Sequence, residues 1–83
     1  MGPTVLAVKR QSGIAGEFGY AVTIQYEGEP AETVQFVGSV YGPPIVMVTP
    51  SGIQTFVSER VLDRCGRKLS PEWVRRFFAG EAS

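Results

Sequence analysis

Eighty-three residues and 9.0 kDa hold enough surface to close one hydrophobic core and not two, so a single domain over residues 1–83 is expected. The apolar share of 43% with 11% aromatics is that of a folding chain, since disordered sequences are poor in aromatics and carry a large net charge, whereas here eight basic residues cancel eight acidic ones. With no histidine and a single cysteine, the commonest general base, the commonest zinc ligand and any internal disulfide are missing.

Five short segments rich in β-branched and aromatic residues are separated by turn chemistry, the pattern of a small antiparallel sheet. The first covers 4–10 and ends in a loop with Gly13 and Gly16. The second, 18–26, alternates: Tyr20, Val22, Ile24 and Tyr26 share one face while Ala21, Thr23 and Gln25 share the other. An acidic turn with Glu27, Glu29 and Glu32 leads to a third strand over 33–37, with Val34 and Phe36 on one side.

Residues 38–44 read as a loop, because Pro43 and Pro44 have no N–H to donate to a ladder and hold the chain out of the sheet. A fourth strand follows over 45–49 and a fifth over 53–57. Between them Thr49-Pro50-Ser51-Gly52 has proline second and glycine fourth, as a type I turn favours, so the two strands form a hairpin. The fourth strand is apolar on both faces, and its second face needs a cover.

The carboxyl-terminal segment is the expected cover. Ser58 can cap a short helix over 59–65, closed by Gly66, with Val61, Leu62 and Cys65 inward. A second helix is expected over 71–79. Ser70 is its N-cap, Pro71 suits the first helical position, and Glu72 sits near the positive end of the dipole. At 100° per residue Trp73, Val74, Phe77 and Phe78 fall on one half of this helix, and Glu72, Arg75, Arg76 and Ala79 on the other.

The amino terminus lacks a basic n-region and an apolar h-region, and Leu6 stands where a myristoylation motif wants Ser or Thr. No uninterrupted apolar stretch exceeds four residues, as at 45–48, where a membrane helix needs roughly 20. No membrane segment is therefore expected, and the lone Cys65 fits a reducing cytoplasm. Six arginines against two lysines hint at a GC-rich bacterial or phage genome.

Catalytic chemistry finds no set of residues to carry it. Cys65 has no histidine to form a thiolate pair and falls in the last turn of its predicted helix, whose negative end raises a thiol pKa. The serines have only Lys9 and Lys68 as conceivable bases, at no favourable spacing. The glycines around Ile14 superficially resemble the phosphate cover of kinases, but Ile14 stands at that motif's first glycine and no paired lysine follows. Glu27, Glu29 and Glu32 lack EF-hand spacing and read as a solvated turn. No enzymatic activity, cofactor or metal is expected.

Two features point to partners. Residues 1–58 carry two basic against four acidic groups, while residues 60–76 carry Arg60, Arg64, Arg67, Lys68, Arg75 and Arg76 against Asp63 and Glu72 alone. This basic edge suits nucleic acid or an acidic partner surface, although a solvated helix exterior has the same composition and a pI near 6.2 is low for a dedicated nucleic-acid binder. Tyr41 beside the stiff Pro43-Pro44 pair is a candidate protein-recognition loop.

The fold class is therefore α+β, a five-stranded antiparallel sheet or partial barrel followed by one short helix and an amphipathic helix packed on the sheet. Five strands and a helix generally resemble SH3-type small barrels, a scaffold that hosts peptide binding, nucleic-acid binding and assembly alike. The expected function is a small non-enzymatic protein-interaction or assembly module, self-associating or held by a protein partner in a bacterium or phage. A nucleic-acid-binding regulator is the alternative.

Overall fold

The computed structural model describes residues 2–12, 17–39, 42–58 and 69–80, with backbone alone at 12, 17, 39, 42–44 and 58. Five strands, β1 (Thr4–Ser12), β2 (Glu17–Gln25), β3 (Glu32–Ser39), β4 (Gly42–Val48) and β5 (Gln54–Ser58), are followed by helix α1 (Pro71–Phe78). Each strand pairs antiparallel with the next in the order β1-β2-β3-β4-β5, so the sheet is an open meander with β1 and β5 at its edges. The α+β class and the five strands are as expected from sequence. The expected helix over 59–65 lies outside the described residues.

Period-two alternation in β2 sets the two faces of the sheet. Phe18, Tyr20, Val22 and Ile24 are all buried on one face, and opposite them β3 contributes Val34 and Phe36 to the same core. Tyr26, expected to extend this row, lies beyond the end of β2 and is 42% exposed. In β1 the apolar residues Val5 and Val8 are three apart and in a regular strand would face opposite ways. A bulge at Leu6 shifts the register, so that Val5 pairs with Ile24 and Val8 with Val22, and both pack against the core. Leu6, the extra residue, is left exposed.

Pro43 and Pro44 correct the sequence reading, because β4 begins at Gly42 and includes both. Ser39 pairs with Gly42 and Val37 with Val46, so a single β3 residue, Gly38, faces the three β4 residues 43–45. The ladder is interrupted there, and a residue without an N–H is tolerated at such a bulge. Proline excluded regular pairing at these positions but not strand geometry.

The β4–β5 hairpin is closed as its turn chemistry predicts. The Gly52 N–H donates to the Thr49 carbonyl at 2.9 Å, the Thr49 N–H to the Ile53 carbonyl at 2.9 Å, and the Ile53 N–H to Thr49 Oγ1 at 3.2 Å. Gly52 takes φ 87°, the left-handed residue that follows a type I turn in a three-residue hairpin loop.

Helix α1 starts where Ser70 Oγ accepts the Trp73 N–H at 3.2 Å, with Pro71 at the first position. It stops at Ala79, whose N–H donates to the Arg75 carbonyl, and Gly80 follows at φ 80°. Val74 is fully buried, Trp73, Phe77 and Phe78 are half-buried, and Glu72, Arg75 and Arg76 are exposed, as the helical spacing requires. The helix lies along β1 and seats its aromatic face on Phe36. It therefore packs on the same face of the sheet as Ile45 and Met47 of β4, which join the same core. The expectation that the carboxyl-terminal segment covers the other face of β4 is not met by α1.

Candidate interaction surfaces

The cross-strand register places the described residues of the face opposite α1, which carries no helix among the described residues and is called the helix-free face below. One row runs Gln11, Gly19, Val37, Val46, Phe56 across the five strands, and the next runs Lys9, Ala21, Gln35, Val48, Gln54. From β2 to β5 these two rows contain no charge. Valines 37, 46 and 48 are half-buried, and Phe56 is 59% exposed at the end of its row. Below them Thr23 and Thr33 stand opposite each other with their hydroxyls 3.5 Å apart. A solvated face of an antiparallel sheet is ordinarily polar, and this one is apolar at its centre.

The helix-bearing face is already satisfied. Phe36, with 0% exposure, meets Trp73, Phe77 and Phe78 edge-on at ring centroid distances of 6.0, 5.5 and 5.5 Å. Trp73 and Phe77 stack at 5.6 Å with 13° between their planes. The Tyr20 hydroxyl donates to the Leu69 carbonyl at 2.7 Å, a buried bond that fixes the entry to the helix. Among the described residues no buried side-chain nitrogen or oxygen lacks a hydrogen-bond partner, so no orphaned polar group marks a ligand site.

Arg75 and Arg76 project into solvent from the side of α1 opposite its aromatic face. Arg60, Arg64, Arg67 and Lys68, the other members of the expected basic edge, lie outside the described residues, as does Tyr41. Pro43 and Pro44 are described by backbone only, inside β4. Glu27, Glu29 and Glu32 are exposed, and no cluster of three His, Cys, Asp or Glu able to hold a metal occurs among the described residues. No described helix is long and apolar enough to cross a membrane.

Protein-family models, curated proteins and solved structures give no match to this chain. The surface is thus the only ground on which to argue function. Sequence reasoning had marked β4 as apolar on both faces, and Val46 and Val48 carry that signal. It had not marked Ile53 and Phe56, which are 62% and 59% exposed. The clue was present in β5, where Phe56 and Val57 are neighbours and a strand must send one of them to each face.

Proposed function

We propose that the protein is a small non-enzymatic interaction or assembly module that presents its helix-free sheet face to protein. The observation that carries this reading is the uncharged row Val37, Val46, Phe56, which ends in a largely exposed phenylalanine. Exposed apolar surface of this kind on a folded domain marks association. The helix contributes by filling the other face, while Phe56 on this one stays exposed. An SH3-like partial barrel is the finer architectural form of this reading, and it adds no functional inference of its own. An accessory role in the cytoplasm of a bacterium, or in a phage, fits the missing catalytic set and the arginine-rich composition.

The test compares wild type with the double variant Val46→Thr, Phe56→Ser, both positions lying on the helix-free face away from the aromatic core. Circular dichroism should show the fold retained. Affinity capture from the native host should lose, in the variant, proteins that the wild type holds. Retention of the same proteins by both forms would remove this face from the interaction and with it the reading.

A second reading, nucleic-acid binding, is favoured by one observation, the exposure of Arg75 and Arg76 side by side on the outer surface of α1. Guanidinium groups in that position are free to take phosphate. Binding to duplex or single-stranded DNA that weakens steeply with salt is its signature, and absence of retention on heparin at low salt removes it.

A further inference from the structure

The two edges of the sheet are built differently. An edge strand offers unpaired N–H and C=O groups, and natural sheets blunt them with bulges, charges or a covering element. β1 has all three: the bulge at Leu6, the exposed pair Lys9 and Arg10, and α1 lying along it. Among the described residues β5 has only a bulge, at Val57 near its end, where Val46 pairs with Phe56 and Ile45 with Ser58, and neither a charge nor a covering helix. Residues 53–58 carry no charge and no proline, their side chains are β-branched or aromatic at Ile53, Thr55, Phe56 and Val57, and Ile53 and Phe56 stand exposed. The whole chain has a formal net charge of +0, so copies meet without long-range repulsion.

We infer that β5 pairs antiparallel with β5 of a second copy, joining two five-stranded sheets into one continuous sheet about a two-fold axis at Phe56. This deepens the interaction reading above and rests on it. Antiparallel pairing of a segment with itself is isologous and closes at two copies. Both outer edges of the joined sheet are then β1, whose cations and covering helix stop further addition. Pairing of β5 with β1 of the next copy is head-to-tail, leaves an edge open at every step, and sets an uncharged strand against Lys9 and Arg10.

The face relationship follows from the same symmetry. A two-fold axis perpendicular to the sheet keeps both helix-free faces on one side, and directly opposed residues share a face. Phe56 then lies across from the partner subunit's Phe56, and the rows Val37, Val46, Phe56 of the two copies run into one apolar band. Ile53 is also drawn to the seam. The five residues of β5 span only about 17 Å, so a seam one strand long buries less than the roughly 800 Å² per partner of a stable interface. The dimer is therefore reversible and dissociates on dilution.

Sedimentation velocity of the full chain over a wide micromolar concentration range tests the inference. The wild type should move from one chain mass towards two. Phe56→Lys and Phe56→Glu, each alone, should associate about tenfold more weakly or not at all, since each sets like charges opposite one another and removes the aromatic contact. An equimolar mixture of the two should recover association, a result that misfolding of either variant cannot give. A wild type that stays monomeric throughout, or a Phe56→Lys variant that dimerises like wild type, overturns the inference. If that happens while capture of other proteins still depends on Val46, the interaction reading stands and β5 self-pairing alone is lost.

Discussion

The Tyr20 hydroxyl reaches 2.7 Å to the carbonyl of Leu69, forty-nine residues away in the chain, and this buried bond ties the central row of β2 to the residue before the α1 N-cap. Its geometry is that of a good O–H···O bond, and its position explains why the helix begins where it does. Tyr20 is 4% and Leu69 6% exposed, so a lost donor leaves the carbonyl without water to replace it. Tyr20→Phe should therefore cost about 1 to 2 kcal/mol, within the range for a buried acceptor left unsatisfied. Urea unfolding should show a lower midpoint at unchanged slope. An unchanged midpoint means that the bond contributes nothing net.

Phe36 is the hub on which the helix rests, and its removal should be felt by three aromatic partners at once. Phe36→Ala empties a site with 0% exposure and should cost about 3 to 5 kcal/mol, enough to unfold much of so small a domain. Trp73→Ala, at a half-buried position, should cost less, about 2 to 3 kcal/mol. The milder pair Phe36→Leu and Phe77→Leu suits a double-mutant cycle, because both variants should still fold. Their 5.5 Å edge-to-face contact should appear as a coupling of about 0.5 to 1.5 kcal/mol. Additive effects would show that the ring geometry has no energetic content beyond burial.

Much of this architecture was legible because its signals are local. The alternation from Phe18 to Ile24 announces a strand with one buried face, and Thr49 to Gly52 announces its turn by residue type. Ser70, Pro71 and the Trp73-to-Phe78 spacing announce a docking helix and its inner side. What escaped was set by register, which residue types do not encode. The Leu6 bulge is visible only once Val5 and Val8 must both find the core, and the bulge across from Gly38 is what admits Pro43 and Pro44 to β4. Equally, nothing in the pattern of α1 says which face of the sheet it will cover. That choice is made by Phe36, on the same face as Tyr20 and Met47, and it leaves Val46 and Phe56 on the other side.

Gly19 is held to glycine by space. It is buried in β2 opposite Val37, and a Cβ placed on it collides with the backbone carbonyl oxygen of Phe36, an atom of the neighbouring strand that cannot swing away. Gly19→Ala should force β2 and β3 apart locally and cost about 1 to 3 kcal/mol, the usual penalty for overpacking. In strands generally alanine replaces glycine at a gain, because glycine loses more conformational freedom on folding. A Gly19→Ala variant as stable as wild type or better would show that the strands can separate without loss. Thermal unfolding decides the sign.

Arg75 and Arg76 have a different character from every position above, since they touch neither the core nor the sheet. Both are exposed in the last turn of α1, where positive charge is favourable to the helix dipole, and both are on the side away from Phe36. Replacing the pair with alanine should change stability by no more than about 0.5 kcal/mol, the range for surface sites without a special role, because alanine's higher helix propensity offsets the lost dipole interaction. Their effect on nucleic acid is then separable from folding. On the second functional reading each guanidinium neutralises one phosphate, and the double variant should lower the slope of log affinity against log salt by about 2. Titrations of wild type and variant with a short duplex at several salt concentrations measure that slope directly. An equal slope for both proteins takes α1 out of any nucleic-acid surface. In that case the charge on its outer face serves solubility and leaves the sheet to do the binding.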